Sequence, residues 1–135
     1  MKSIRNYFLR DDGATAVEFG MVSLLFISFL FGIIELSRVF WTLNTLQYAI
    51  EDTARYALVH EDATNSDLLA HAADSMSGIQ VATANLAVTT STSTIAGIRF
   101  IEVQGSYEFE MLVPGLTGVV GPLILTAQAR APYAL

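Results

Sequence analysis

Glu18 is the residue whose position asks most of chemistry. From Ala14 to Ile34 there are 21 residues, and Glu18 is the only charged one among them. A carboxylate at bilayer depth costs about 2.5–3.5 kcal/mol or more, so such a residue calls for a partner. His60 and His71, with Glu61, Asp62, Asp67 and Asp74 near them in the chain, offer imidazole and carboxylate groups of the kind that ligate divalent metals. Their number and spacing match no recognised metal motif, so solvated loop and helix positions are expected, with no metal and no cofactor. Serine and threonine are plentiful from Thr89 to Thr94, without a Gly-x-Ser-x-Gly elbow, a phosphate-cradling glycine loop or a pair of active-site acids. That run reads as a polar turn. The absence of cysteine removes a disulfide framework, a thiolate zinc site and a cysteine nucleophile together. The chain is not expected to be an enzyme.

The element that carries Glu18 is an apolar run long enough to span a bilayer, since stretches of 18 or more apolar residues with few charges read as membrane helices. A secretory signal peptide has a shorter apolar core followed by a small-x-small cleavage site. Here the run from Phe19 to Ile34 is unbroken, and Glu35-Leu36-Ser37-Arg38-Val39-Phe40-Trp41 after it offers no Ala-x-Ala. Lys2, Arg5 and Arg10 precede the run, and the positive-inside rule places the N-terminus in the cytoplasm and the residues after about 38 outside. Beyond the span, Val39, Leu43, Leu46, Ile50, Ala54 and Ala57 recur every three or four residues, which predicts a helix with one apolar stripe. Glu35 with Arg38, and Glu51 with Arg55, have supportive helical spacing. One helix over about Ala14 to His60 follows, roughly 65–70 Å long at 1.5 Å per residue. Its first half belongs in lipid or against partner helices and its second half on the C-terminal domain. Trp41 suits the membrane interface; Tyr48 suits either that interface or packing on the domain.

The start of this run carries a resemblance. A short polar leader ends in Gly13, a small residue follows at Ala14, and Glu18-Phe19 stand at the fifth and sixth positions after the glycine. This resembles the processing site of type IV pilins and pseudopilins. Gly32-Ile33-Ile34-Glu35 with Arg38, and Ala54-Arg55-Tyr56-Ala57, are similar to TadE-like pilus assembly proteins of the Flp, or tight adherence, pilus system. The likeness is close from about Gly13 to Tyr56. It implies that a prepilin peptidase cuts between Gly13 and Ala14 on the cytoplasmic side and leaves the helix attached. It also implies that the free α-amine of Ala14, on the same chain or a neighbour, pairs with Glu18, and it suggests N-methylation of Ala14. Its implied partners are the peptidase, other pilins or pseudopilins and the assembly platform. Its implied location is the bacterial inner membrane with the C-terminal domain in the periplasm, or the pilus itself.

The remaining chain reads as a small α+β domain. His60 to Asn65 is a polar loop, and Asn65 or Ser66 is placed to cap a short helix over Asp67–Met76 that stops at Gly78. Leu68, Leu69, Ala72, Ala73 and Met76 form its core face. Residues 79–90 are rich in Val, Ile and Thr and read as a strand. Ile101, Val103, Gly105, Tyr107, Phe109 and Met111 alternate with polar residues over eleven positions, the period of a half-buried strand. Leu123, Leu125, Ala127 and Ala129 repeat the pattern, so that Arg130 comes across from one of the glutamates on the preceding strand. The simplest architecture is a three-stranded antiparallel sheet with the long helix on its apolar face. The connector from Leu112 to Pro122 is uncharged and apolar despite its prolines and glycines. Either Leu116 and Val119 present a partner contact, or they fold under the sheet.

The division expected is a leader over 1–13, a transmembrane segment over 14–38 and an extracytoplasmic domain over 39–135, within a chain of 135 residues. Net charge is −6, and −7 once residues 1–13 are removed; no basic patch suggests nucleic acid. The function expected is that of a membrane-anchored minor pilin or pseudopilin, processed by a prepilin peptidase and assembling an Flp-type pilus for surface attachment. The rival is a single-pass envelope binding module with an uncleaved anchor.

Overall fold

The computed structural model describes residues 11–77, 83–112, 118 and 121–133. The chain divides into two compact units, one to Leu36 and one from Ser37 onward. Helix α1, Asp11–Val59, begins in the first and ends in the second.

Within the first unit the helix has no inward side. From Gly13 to Leu36 every residue is exposed except half-buried Ser23 and buried Glu35. Phe19, Leu24, Phe29 and Ile33 are each more than 60% exposed. A helix apolar on all faces is stable only where its surroundings are apolar too. Its backbone groups bond within the helix, as lipid demands of a spanning segment, and Ser28 Oγ donates to the Leu24 carbonyl at 2.8 Å. Its length and composition suffice to cross a membrane.

In the second unit α1 acquires a face. Leu46, Ala49, Ile50, Thr53, Ala54 and Ala57 are buried, and Val39 and Leu43 are partly buried, while Asn44, Glu51 and Arg55 are exposed. Thr53 enters the core because its hydroxyl donates to Ala49 O at 2.7 Å, which satisfies a group that would otherwise be costly to bury. The helix closes at Val59, one residue short of the expected end. The Glu51 carboxylate accepts from Gln47 Nε2 at 2.8 Å, one turn back.

Helix α2 spans Asn65–Met76, and its cap lies one residue earlier than the sequence suggests. Thr64, not Asn65 or Ser66, occupies the N-cap: its hydroxyl accepts from the Asp67 N–H, and the Asp67 carboxylate accepts from the Thr64 N–H at 2.9 Å. The reciprocal box decides the start, because it satisfies two orphan donors where a single cap satisfies one. Leu68, Ala72 and Met76 are buried as expected, and Leu69 and Ala73 partly so. Gly78 lies outside the described residues.

The sheet has three antiparallel strands in chain order, β1 Leu86–Ile95, β2 Ile98–Phe109 and β3 Leu123–Pro132. Its first strand corrects two expectations. It begins at Leu86, after a 3₁₀ turn at Thr83–Asn85, and Thr89–Thr94 forms its body rather than a turn. Threonine favours extended backbone, and these residues pair one for one with β2, from Thr89↔Gln104 to Thr94↔Arg99. The turn shrinks to Ala96-Gly97, both with positive φ of 52° and 82°, as a two-residue type I′ hairpin requires. Strands β2 and β3 follow the expected alternation: Ile101, Val103, Tyr107 and Phe109, with Leu125, Ala127 and Ala129, face the core. Gly105 continues that inward row. A Cβ there would lie 2.6 Å from Ile50 Cγ1, so the bare backbone of β2 is what allows the helix to approach. The fold is the α+β arrangement expected, a long N-terminal helix packed on a three-stranded antiparallel sheet.

Candidate functional site

Gly13, Ala14, Glu18 and Phe19 all lie on the opening turns of α1, with their residues exposed. Ala14 and Glu18 are four residues apart and therefore share a face, one turn from each other. A helical side chain leans toward the N-terminus of its helix, so the Glu18 carboxylate is carried back toward the turn that holds Ala14. Glycine inside a helix costs roughly 0.8–1.0 kcal/mol relative to alanine. No heavy atom outside the local helix lies within 4 Å of where a Cβ of Gly13 would be. Packing among the described residues does not demand the glycine. Leu116 and Val119 lie outside the described residues.

The two histidines meet on one aromatic ring. Tyr56 stacks with His60 at 4.0 Å and with His71 at 4.3 Å between ring centroids. His71 Nε2 lies 2.8 Å from Asp52 Oδ2, which also accepts from Ser75 Oγ at 3.3 Å. None of the acids near the histidines in sequence takes part in these contacts. Asp67 is occupied in the α2 cap, where the Thr64 hydroxyl, and then the Thr64 N–H, hold its carboxyl below the usual carboxylate range. Among the described residues no group of three or more potential ligands could hold a metal. The arrangement joins α1 to α2. Asp52 and Tyr56, four apart on one helical face, were the only local sign of it; the partners on α2 come from tertiary packing.

Two arginines also fasten elements. Arg38 lies over the Phe109 ring, 5.0 Å from its centroid, and its Nη2 reaches Glu110 O at 3.4 Å. On the open face of the sheet Glu102 stands directly across from Arg130, as the strand pattern predicts, and accepts from Arg130 Nε at 2.8 Å and from Gln128 Nε2 at 3.2 Å. Trp41 and Tyr48 are 64% and 65% exposed, so Tyr48 points away from the domain core and the packing alternative does not hold for it. These features hold surfaces in place and offer contacts to other surfaces.

Residues 13–55 match the model of a family described as TadE-like protein. No match was found among curated proteins or among solved structures. The matched segment opens at Gly13 and takes in Glu18-Phe19, Gly32 to Glu35, Arg38 and Ala54-Arg55, most of the residues on which the sequence resemblance rests; Tyr56-Ala57 lie just beyond it. The N-terminal third of the chain is thus similar to TadE-like proteins, and the match ends before α2 and the sheet begin.

Proposed function

We propose that this chain is a membrane-anchored minor pilin or pseudopilin of the Flp, or tight adherence, type. A prepilin peptidase removes residues 1–13, residues 14–38 cross the inner membrane with the N-terminus inside, and residues 39–135 form a periplasmic domain that takes part in pilus assembly for surface attachment. The observation that carries the reading is the coincidence of three features at one place. The family match starts at Gly13, nothing among the described residues packs against that glycine, and a helix with exposed apolar side chains follows it at once.

Glu18 then has a physical role. Cleavage creates an α-amine at Ala14, at the positive end of the helix dipole. The Glu18 carboxylate leans toward that end, and pairing with the amine of its own chain or a neighbour offsets the cost of placing the carboxylate in lipid. Leu116 and Val119 are proposed as contacts with another subunit. The assembly partners on this reading are other pilins and the assembly platform.

The test is a Gly13→Leu variant expressed in the native host in place of the wild-type copy. The expected result is an uncleaved protein that still inserts in the membrane and fails to support pili. Normal pili with an uncleaved chain would overturn the reading in favour of an anchored binding module.

A further inference from the structure

Strand β1 forms one edge of the sheet. Its ten residues, Leu86–Ile95, carry no charge and no proline, and they pair one for one with β2 without a bulge. Sheets ordinarily guard their edges with charges, proline, bulges or a covering element, because an unpaired row of N–H and C=O groups is a template for another strand. Among the described residues no strand lies beyond β1.

The groups on that edge follow from the hairpin. Ile95 and Ile98 flank the two-residue turn and pair with each other, so their mutual hydrogen bonds close it. The alternation of an antiparallel ladder then turns Ala87, Thr89, Ser91 and Ser93 toward β2 and leaves Val88, Thr90, Thr92 and Thr94 with N–H and C=O pointing outward. Carried across β2, the same alternation puts the Gln128 carbonyl on the outer edge of β3. There Gln47 Nε2 of α1 donates to it at 3.3 Å, and Arg130 and Pro132 stand on the same strand. The edge of β3 is guarded; that of β1 is not.

Helix α2 makes a wall beside the open edge. The Thr90 hydroxyl donates to Asn65 Oδ1 at 2.8 Å, so α2 starts over the middle of β1. His71 and Ser75 face α1 through Asp52, whereas Leu69 and Ala73, one turn apart on the other flank, are only partly buried. A strand added to β1 would lay every second side chain against them. Charge selects that strand. From Ser37 onward there are four arginines and no lysine against nine acids, and Glu61 and Asp62 are exposed in the turn before Asn65. A second copy does not suit the edge, because antiparallel β1 strands that overlap along most of their length are centred near Thr90, which sets the two α2 starts and their acids against each other.

We propose that the outer edge of β1 binds an extended segment of a partner protein by strand addition. The segment runs antiparallel, with apolar β-branched residues against Leu69 and Ala73 and with Lys or Arg beside them to meet Glu61 and Asp62. The surface lies wholly within the second unit, and its test is separate from that of cleavage at Gly13.

The probe is a fluorescent synthetic peptide, Lys-Thr-Val-Thr-Val-Thr-Val-Lys, titrated with the full chain in dodecyl maltoside micelles and followed by anisotropy. A second peptide is N-methylated at every central residue, which keeps side chains and charge and removes the strand's donors. A third carries Glu in place of both Lys. On the protein, Thr92→Pro removes an outward N–H and leaves the ladder to β2 intact, and Thr92→Lys adds the charge that guards natural edges.

The expected result is saturable binding of the first peptide, weakened about tenfold or more by N-methylation, by the Glu exchange, and by either Thr92 substitution in a chain that melts as the wild type does. The peptide comparison needs no substitution in the protein, so it stands even where a variant fails to fold. Absence of saturable binding, or binding that N-methylation leaves unchanged, would overturn the proposal. Equal binding of the Glu peptide would overturn the partner chemistry it assigns. Sedimentation equilibrium of the chain alone is expected to give a monomer; a dimer lost in Thr92→Lys would overturn the proposal in favour of a second copy.

Discussion

Glu18 stands out by its place in the sequence, Gly105 by what packs against it. Glu18 is legible in sequence because it is the one charged residue between Ala14 and Ile34, and on the proposed reading its carboxylate is paired at bilayer depth. Glu18→Ala is expected to leave membrane insertion intact, since it makes the span more apolar, and to reduce piliation severely. Electron microscopy and membrane fractionation of the same cells separate the two; normal pili on Glu18→Ala cells would remove the pairing with the Ala14 amine. Gly105 looked like one more inward position of an alternating strand. That it must be glycine was not legible, because the reason is Ile50, 55 positions away in the chain, whose side chain fills the space of the missing Cβ. Gly105→Ala is expected to destabilise the domain by about 1–3 kcal/mol, the usual range for overpacking a filled core. Thermal unfolding of the full chain in micelles would measure it, and an unchanged midpoint would show that Ile50 yields freely.

At the scale of elements, legibility followed periodicity. The alternation of β2 and β3 and the stripe of α1 were written in apolar spacing, and the structure keeps all three. The strand β1 was not, because a run of Ser and Thr has no apolar alternation. Its extended form comes from pairing with β2. The start of α2 was blurred by three adjacent residues, Thr64, Asn65 and Ser66, each able to cap a helix. Only the reciprocal Thr64–Asp67 box distinguishes them. Thr64→Ala is expected to cost about 0.5–2 kcal/mol and to speed amide exchange in the first turn of α2; exchange unchanged in that turn would argue that tertiary packing alone fixes the helix start.

The same cap gives α2 a pH dependence. Asp67 in the folded chain lies below its ordinary value of 3.8 because Thr64 bonds to its ionised form. A lowered folded value means that the stabilisation is complete above the unfolded value and is lost as pH falls through the folded one. Amide exchange in the first turn of α2 is therefore expected to rise as pH drops below 3.8 beyond the change intrinsic to the amides, and Asp67→Asn is expected to lack that extra rise. An identical acid response in both proteins would contradict it.

At the scale of the molecule, the matched segment and the apolar run belong to the same N-terminal stretch, whereas the sheet lies outside the match. The sequence conveyed a helix long and apolar enough to cross a membrane, because length and composition can be counted. It conveyed the domain in outline and missed the Asp52–Tyr56–His71 junction, since long-range contacts leave no local period. The central claim is that the chain enters the membrane as a precursor and is cut between Gly13 and Ala14. Intact mass spectrometry of the protein purified from native membranes, with and without the prepilin peptidase, tests it most directly. The account predicts a mass that begins at Ala14, with or without one added methyl group, only when the peptidase is present; a full-length mass in both cases would contradict it.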